Sequence, residues 1–169
     1  MLVEVLVTIV IFTVGLLGVI GLQTLALSSS HLSSLRTEAT VLVTDMVERM
    51  RANLPAVNGT GGIGTYAVLA PTTNACRAVY ATALEPAPTD CTPEDLAADD
   101  LQDWLDQVAQ RLPAGEGFVC LDSTPDDGLP GAEDCDGLGG SYAIKFWWTE
   151  RATRTEDASV RRFVGSVRP

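Results

Sequence analysis

No residue from Val5 to Leu22 carries a charge, and only Thr8 and Thr13 in that run are clearly polar. Eighteen such residues reach the length that crosses a bilayer as an α-helix, and their mixture of Leu, Ile, Val and Gly shows no strand alternation. A secretory signal has a basic start, a shorter apolar run and a small-residue cleavage site. Residues 1–27 show none of these, so the stretch is expected to be retained as a hydrophobic anchor.

The helical pattern then changes character. After a serine-rich patch (Ser28, Ser29, Ser30, Ser33, Ser34), apolar residues recur at Leu32, Leu35, Ala39, Leu42, Met46 and Met50. Steps of three and four place them on one face, which Val43 and Val47 widen. Arg36, Glu38, Asp45, Glu48, Arg49 and Arg51 occupy much of the remainder, and Asn53-Leu54-Pro55 is expected to stop the helix, because proline disfavours a helical residue before it. A helix of that extent is a rod of roughly 80 Å at about 1.5 Å per residue, far longer than a bilayer requires. Half of it needs another cover.

Glu4 stands at the start of the apolar run, where an ionisable group is costly in lipid and usually has a partner. One reading is an interfacial carboxylate that snorkels to the headgroups. The other comes from resemblance. Leu2-Val3-Glu4-Val5-Leu6-Val7 followed by an apolar helix resembles the start of type IV pilins and pseudopilins. In that family a prepilin peptidase cuts after a glycine, methylates the new N-terminus and leaves a glutamate at the fifth mature position. Glu4 is fourth here, so the resemblance implies that a leader and one mature residue are missing from the chain as given. Asp45-Met46-Val47-Glu48-Arg49-Met50-Arg51-Ala52-Asn53 further resembles the helix end of the PilV minor pilins, the type IV pilus modification proteins. The stretch from Trp104 to Cys120 is similar to them too, less specifically. The plain alternative is a signal-anchor helix followed by a coiled-coil-like stalk. Gly15, Gly18 and Gly21 permit close helix approach, and local unwinding there would be eased by glycine, since major pilins usually carry a proline that this segment lacks.

The remaining 110–120 or so residues suffice for one modest domain. The sequence thus divides into a hydrophobic helix (1–27), an amphipathic continuation (28–54) and a head (55–169). Net charge is −11, which argues against nucleic acid and anionic membrane surfaces as partners. From Glu85 to Asp136 there are fifteen acids against one base, Arg111; from Lys145 to Arg168 there are six bases and three acids. Such regions are usually solvated faces, although they also suit pairing between subunits. The cysteines are Cys76, Cys91, Cys120 and Cys135, with no C-x-x-C and one histidine, His31, so a zinc site is disfavoured. Their even number suggests an oxidising compartment. Of three connectivities, equal separations favour Cys76–Cys91 and Cys120–Cys135, each worth roughly 3 kcal/mol in the chain-entropy view.

Along the head, residues 56–65 read as a glycine-rich connector that includes the formal sequon Asn58-Gly59-Thr60. Residues 66–69 read as a short strand and 71–92 as a loop. Thr92-Pro93-Glu94-Asp95 is a helix start, continued by Leu96, Leu101, Trp104, Leu105, Val108 and Leu112 on one face and stopped by Pro113-Ala114-Gly115. Strands are expected at 117–122, 142–149 and 159–167. The loop between the first two holds Asp122, Asp126, Asp127, Asp134 and Asp136. Oxygen-rich loops can hold calcium, but this spacing is no EF-hand, and a solvated acidic loop is the default.

No catalytic set assembles around His31, which lies among serines and reads as solvent-facing, and no cofactor motif is visible. The expectation is an α+β, pilin-like fold: a long N-terminal helix packed on a small antiparallel sheet, with one extra helix. The resemblance implies a non-enzymatic minor pilin acting in pilus initiation or in tip or filament incorporation, with adhesion as a further role. Glu4 would then direct docking. Implied partners are other major and minor pilins, the inner-membrane assembly machinery, the prepilin peptidase and membrane lipid. The chain would sit in the bacterial inner membrane with its head in the periplasm, and afterwards in the pilus. A minor pseudopilin of a type II secretion system and a stand-alone membrane-anchored binding domain are the alternatives.

Overall fold

A computed structural model describes residues 2–59, 65–67, 76, 91–150 and 158–168. Helix α1 runs without interruption over Leu2–Ala52, 51 residues. Its C-terminal half is laid on the head by Leu35, Ala39, Leu42, Met46 and Met50, all buried and spaced by four or three residues. Each buried Leu or Met on that stripe contributes roughly 1.5–3 kcal/mol. The helix stops at Asn53, whose N–H still reaches Arg49 O at 3.1 Å.

Proline ends α1 but does not end helical structure. A short α2, Leu54–Asn58, restarts with Pro55 in its first turn and buries Ala56 and Val57. The connector expected from Ala56 therefore begins three residues later, because two apolar side chains there join the core. Thr65–Ala67 forms a 3-10 turn rather than the start of a strand, and Tyr66 is buried in it. Residues 68–69, Thr60 of the sequon, and most of the 71–92 loop lie outside the described residues.

Helix α3, Pro93–Arg111, opens with a reciprocal capping box: Asp95 N–H donates to Thr92 Oγ1 at 3.1 Å, and Thr92 N–H donates to the Asp95 carboxylate at 3.3 Å. Leu101, Trp104, Val108 and Leu112 are buried, whereas Leu96 is only half-buried.

Three antiparallel strands follow in the order β1-β2-β3, with β1 at Glu116–Leu121, β2 at Tyr142–Glu150 and β3 at Ser159–Val167. The first strand ends one residue earlier than expected, since Asp122 leaves the ladder to cap Thr124 N–H at 3.0 Å. Alternation splits central β2 into two buried faces. Tyr142, Ile144, Phe146 and Trp148 join the α1 and α3 side chains in one core. Trp104 meets Phe146 edge-on at 6.1 Å, and its buried indole N–H donates to Leu42 O at 2.9 Å. Where β3 passes α1, Gly165 leaves no room for a Cβ against Val43. The α+β architecture expected from the sequence is the one observed.

Candidate functional site

Among the described residues, nothing covers the first half of α1. Of its most apolar 18-residue window, 0% is buried within the chain. Leu17 is 69% exposed and Leu22 70%, so the surface is apolar all round. Its few polar groups turn inward: Thr8, Thr13 and Thr24 donate to Val5, Val10 and Gly21 carbonyls at 2.8, 2.9 and 2.8 Å. Gly15, Gly18 and Gly21 have open space where a Cβ would stand, so no contact within the chain requires them. Glu4 lies in the first turn of this bare segment, exposed, and residues 1–35 contain no Lys or Arg to pair with it. A surface this large and this apolar is unstable in water and marks a buried interface, in lipid or between proteins.

The second half is tied down by polar contacts as well as by its apolar stripe. Arg49 donates to Asp45 at 2.9 Å within α1, and to Asp100 and Asp103 of α3 at 3.2 and 2.7 Å. Tyr66 closes the cluster by donating to Asp100 at 3.0 Å. Burial disfavours the Arg49 charge, but the Asp103 hydrogen bond and the charges of Asp45, Asp103 and Asp100 outweigh it and raise its pKa. Burial likewise lifts Asp100 despite its Tyr66 and Arg49 bonds, and burial with the Asp100 charge pushes the Tyr66 phenol well above its ordinary range. Asn53 Nδ2 donates to Pro93 O at 2.7 Å. The Asp45–Asn53 motif thus divides its work by position. Asp45, Arg49 and Asn53, at steps of four, serve the α3 side, Met46 and Met50 the core, and Glu48 and Arg51 pair with each other in solvent at 2.7 Å. Nearer the bare half, buried Glu150 receives Arg161 at 3.0 Å and Trp148 Nε1 at 3.1 Å, with Arg36 at 3.6 Å.

The acidic loop closes over the other face of β2, and its centre is a lysine. Lys145 Nζ lies 2.5 Å from Asp122 Oδ2, 2.7 Å from Asp127 Oδ1 and 2.9 Å from Glu133 O. Burial alone would lower its pKa, but close contact with the Asp122 carboxylate, the hydrogen bond to Asp127 and the charges of both raise it. The Lys145 hydrogen bond holds Asp127 below the usual carboxylate range, aided by Thr124. Asp136, beside Asp122, accepts from Ser123 Oγ, Ser123 N–H and Leu138 N–H, and is lowered chiefly by them. Asp126 and Asp134 are exposed, and Arg162 donates to the carbonyls of Asp126 and Gly128. Of the five loop aspartates, Asp122 and Asp127 converge on an ammonium, and Asp136 lies against Asp122. Among the described residues, the carboxylate of Asp122 and the sulfurs of Cys120 and Cys135 also lie within 4.8 Å of one another. Those sulfurs are bonded to each other across a Cα–Cα distance of 6.3 Å, and Cys76 is bonded to Cys91 across 5.7 Å, so neither pair offers a thiolate.

Lys145 was the residue that sequence reasoning passed over. Its signal was available: the chain's only lysine interrupts the apolar β2 run directly after a loop of five aspartates. Arg49 and Glu150 had weaker signals, being charges on otherwise amphipathic elements.

Comparison with known proteins gives one positive result. The family model described as type IV pilin Tt1218 matches residues 21–102, just under half of the chain. The match supports a place in the type IV pilin superfamily and a pilin's role in pilus biology. No curated protein and no solved structure matches.

Proposed function

We propose that this chain is a minor pilin of the type IV pilus, held by α1 in the inner membrane with its head in the periplasm and then taken into the filament. The reading rests on one observation: a single unbroken helix is bare and apolar over its first half and sealed into a head over its second. The match to the type IV pilin family supports it. A helix cannot stay bare in water, and its continuity carries any pull on one half directly to the other. Packing against the apolar helices of other major and minor pilins is the cover that suits a subunit passing from bilayer to fibre. The prepilin peptidase and the inner-membrane assembly machinery are the partners this route requires.

Glu4 then has a task. In a low-dielectric bundle a lone carboxylate costs several kcal/mol unless it is paired. A pilin N-terminal amine, its own or a neighbour's, is the available opposite charge. Glu4 on this reading directs docking rather than membrane insertion. In a piliated host, Glu4→Gln should leave membrane-inserted protein at normal abundance while cutting its recovery in sheared pili. Equal recovery of variant and parent would reduce Glu4 to an interfacial carboxylate.

A further inference from the structure

Lys145, the chain's only lysine, is fully buried. Its Nζ lies 2.5 Å from Asp122 Oδ2, with neither side chain exposed. Yet Oδ2 accepts no aligned hydrogen bond. The amine therefore presses on the carboxyl group away from the direction that an ordinary hydrogen-bonded ion pair adopts. The other carboxyl oxygen, Asp122 Oδ1, accepts from Thr124 N–H at 3.0 Å, so a charge growing there already has a donor. A second carboxylate, Asp127 Oδ1, touches the same Nζ at 2.7 Å, and Thr124 Oγ1 fixes its Oδ2 at 2.6 Å. Amine and carboxyl group meet at one buried point, with the proton carrier Asp127, 36% exposed, and the oxyanion donor of Thr124 at its solvent edge.

We propose that Lys145 and Asp122 condense into an intramolecular isopeptide bond that ties the middle of β2 to the end of β1. The buried ion pair is the state before reaction. One ammonium proton passes to Asp122 Oδ2, giving a neutral amine and a neutral carboxylic acid. The nitrogen lone pair attacks Asp122 Cγ, a C–N bond forms, and the carbonyl electrons move to Oδ1, where Thr124 N–H receives them. Asp127 takes a second proton from nitrogen and hands it to the departing oxygen. The Cγ–Oδ2 bond breaks and water leaves, with the third original proton remaining on the amide. Nothing is oxidised or reduced, and no co-reactant is consumed. Contact between the partners replaces a bimolecular encounter, and exclusion of solvent slows the reverse hydrolysis. The inference stands on this cluster alone and does not depend on the pilin reading.

Two measurements on the purified full chain test it. Intact mass should be lower than the disulfide-corrected sequence mass by one water. After reduction and denaturation, a lysine-specific endoproteinase has one possible cleavage, at Lys145; the linked chain should resist it and stay in one piece. Asp127→Ala, which removes the proton carrier and keeps both partners, should restore full mass and cleavage into two fragments. Full mass in the folded parent overturns the proposal, as does complete cleavage at Lys145. Water loss that persists in Asp122→Ala also overturns it, because it would then arise from succinimide formation at Asp127-Gly128 or Asp136-Gly137.

Discussion

Two stretches of one helix behave as if they belonged to different proteins. Residues 2–27 of α1 are apolar on every side and bury nothing within the chain, whereas from Leu35 onward a narrow apolar stripe is buried and the rest is polar. Backbone geometry is continuous across the boundary. What changes is how many faces are apolar, and so how many covers the helix needs. The second half finds its cover in α3 and the sheet, and the first finds none among the described residues. Stability of the head and competence for assembly should therefore respond to different residues.

The largest effect should come from Trp104→Ala. It empties a fully buried site and strips the donor from Leu42 O, for a loss of about 3–5 kcal/mol. Thermal unfolding followed by near-ultraviolet circular dichroism measures it. The matched change in the bare half, Leu17→Ala, should leave head stability within about 0.5 kcal/mol of the parent. A large destabilisation from Leu17→Ala would break the comparison.

Gly165→Ala comes next. The new Cβ overlaps Val43 where β3 passes α1, and overpacking of this kind costs roughly 1–3 kcal/mol. The double variant with Val43→Ala should recover most of the loss, and failure to do so would place the strain elsewhere. Arg49→Met leaves Asp100 and Asp103 without their cation at the α1–α3 seam, a cost of about 1–3 kcal/mol by denaturant titration.

The smallest effect is a local one in pH. Asp136 is held below the usual carboxylate range by its Ser123 and Leu138 hydrogen bonds. Its folded pKa is lower than its unfolded one, so its contribution is present above the ordinary carboxylate pKa and is lost as pH falls through the depressed value. Carbon-detected titration should find Asp136 ionising below the usual carboxylate range, and Ser123→Ala should move it back towards that range. An Asp136 that titrates in the usual carboxylate range in the parent would show that its bonds do not hold in solution.

Much of the architecture was legible because it rests on periodicity and local chemistry. Steps of three and four from Leu35 to Met50 placed the buried stripe, and Thr92-Pro93 with Asp95 placed the start of α3. Strand β3 falls on the residues expected. Legibility failed where a tertiary contact outweighed a local signal. Pro55 marked an end but also opened a new helix, because Ala56 and Val57 had somewhere to be buried. Tyr66 looked like a strand residue and is instead buried in a turn, with its hydroxyl on Asp100. The acidic loop was the largest gap. Five aspartates near one another read as a solvated acidic loop, with calcium as the lesser possibility, while the cation that two of them meet is twenty-three positions from Asp122 and sits on a strand that alternation marks as apolar. The lone lysine in an apolar strand marks a buried charge, but nothing along the chain says which of the aspartates it meets.

Single cysteines read by a solvent-borne maleimide test the central claim most directly, with the native cysteines left in their disulfides. In sheared, membrane-free pili, Leu17→Cys should be protected while Thr40→Cys, on the exposed side of the second half, reacts readily. Labelling of Leu17→Cys in those pili at the rate of Thr40→Cys would contradict the account, because the bare half of α1 would then remain uncovered in the filament.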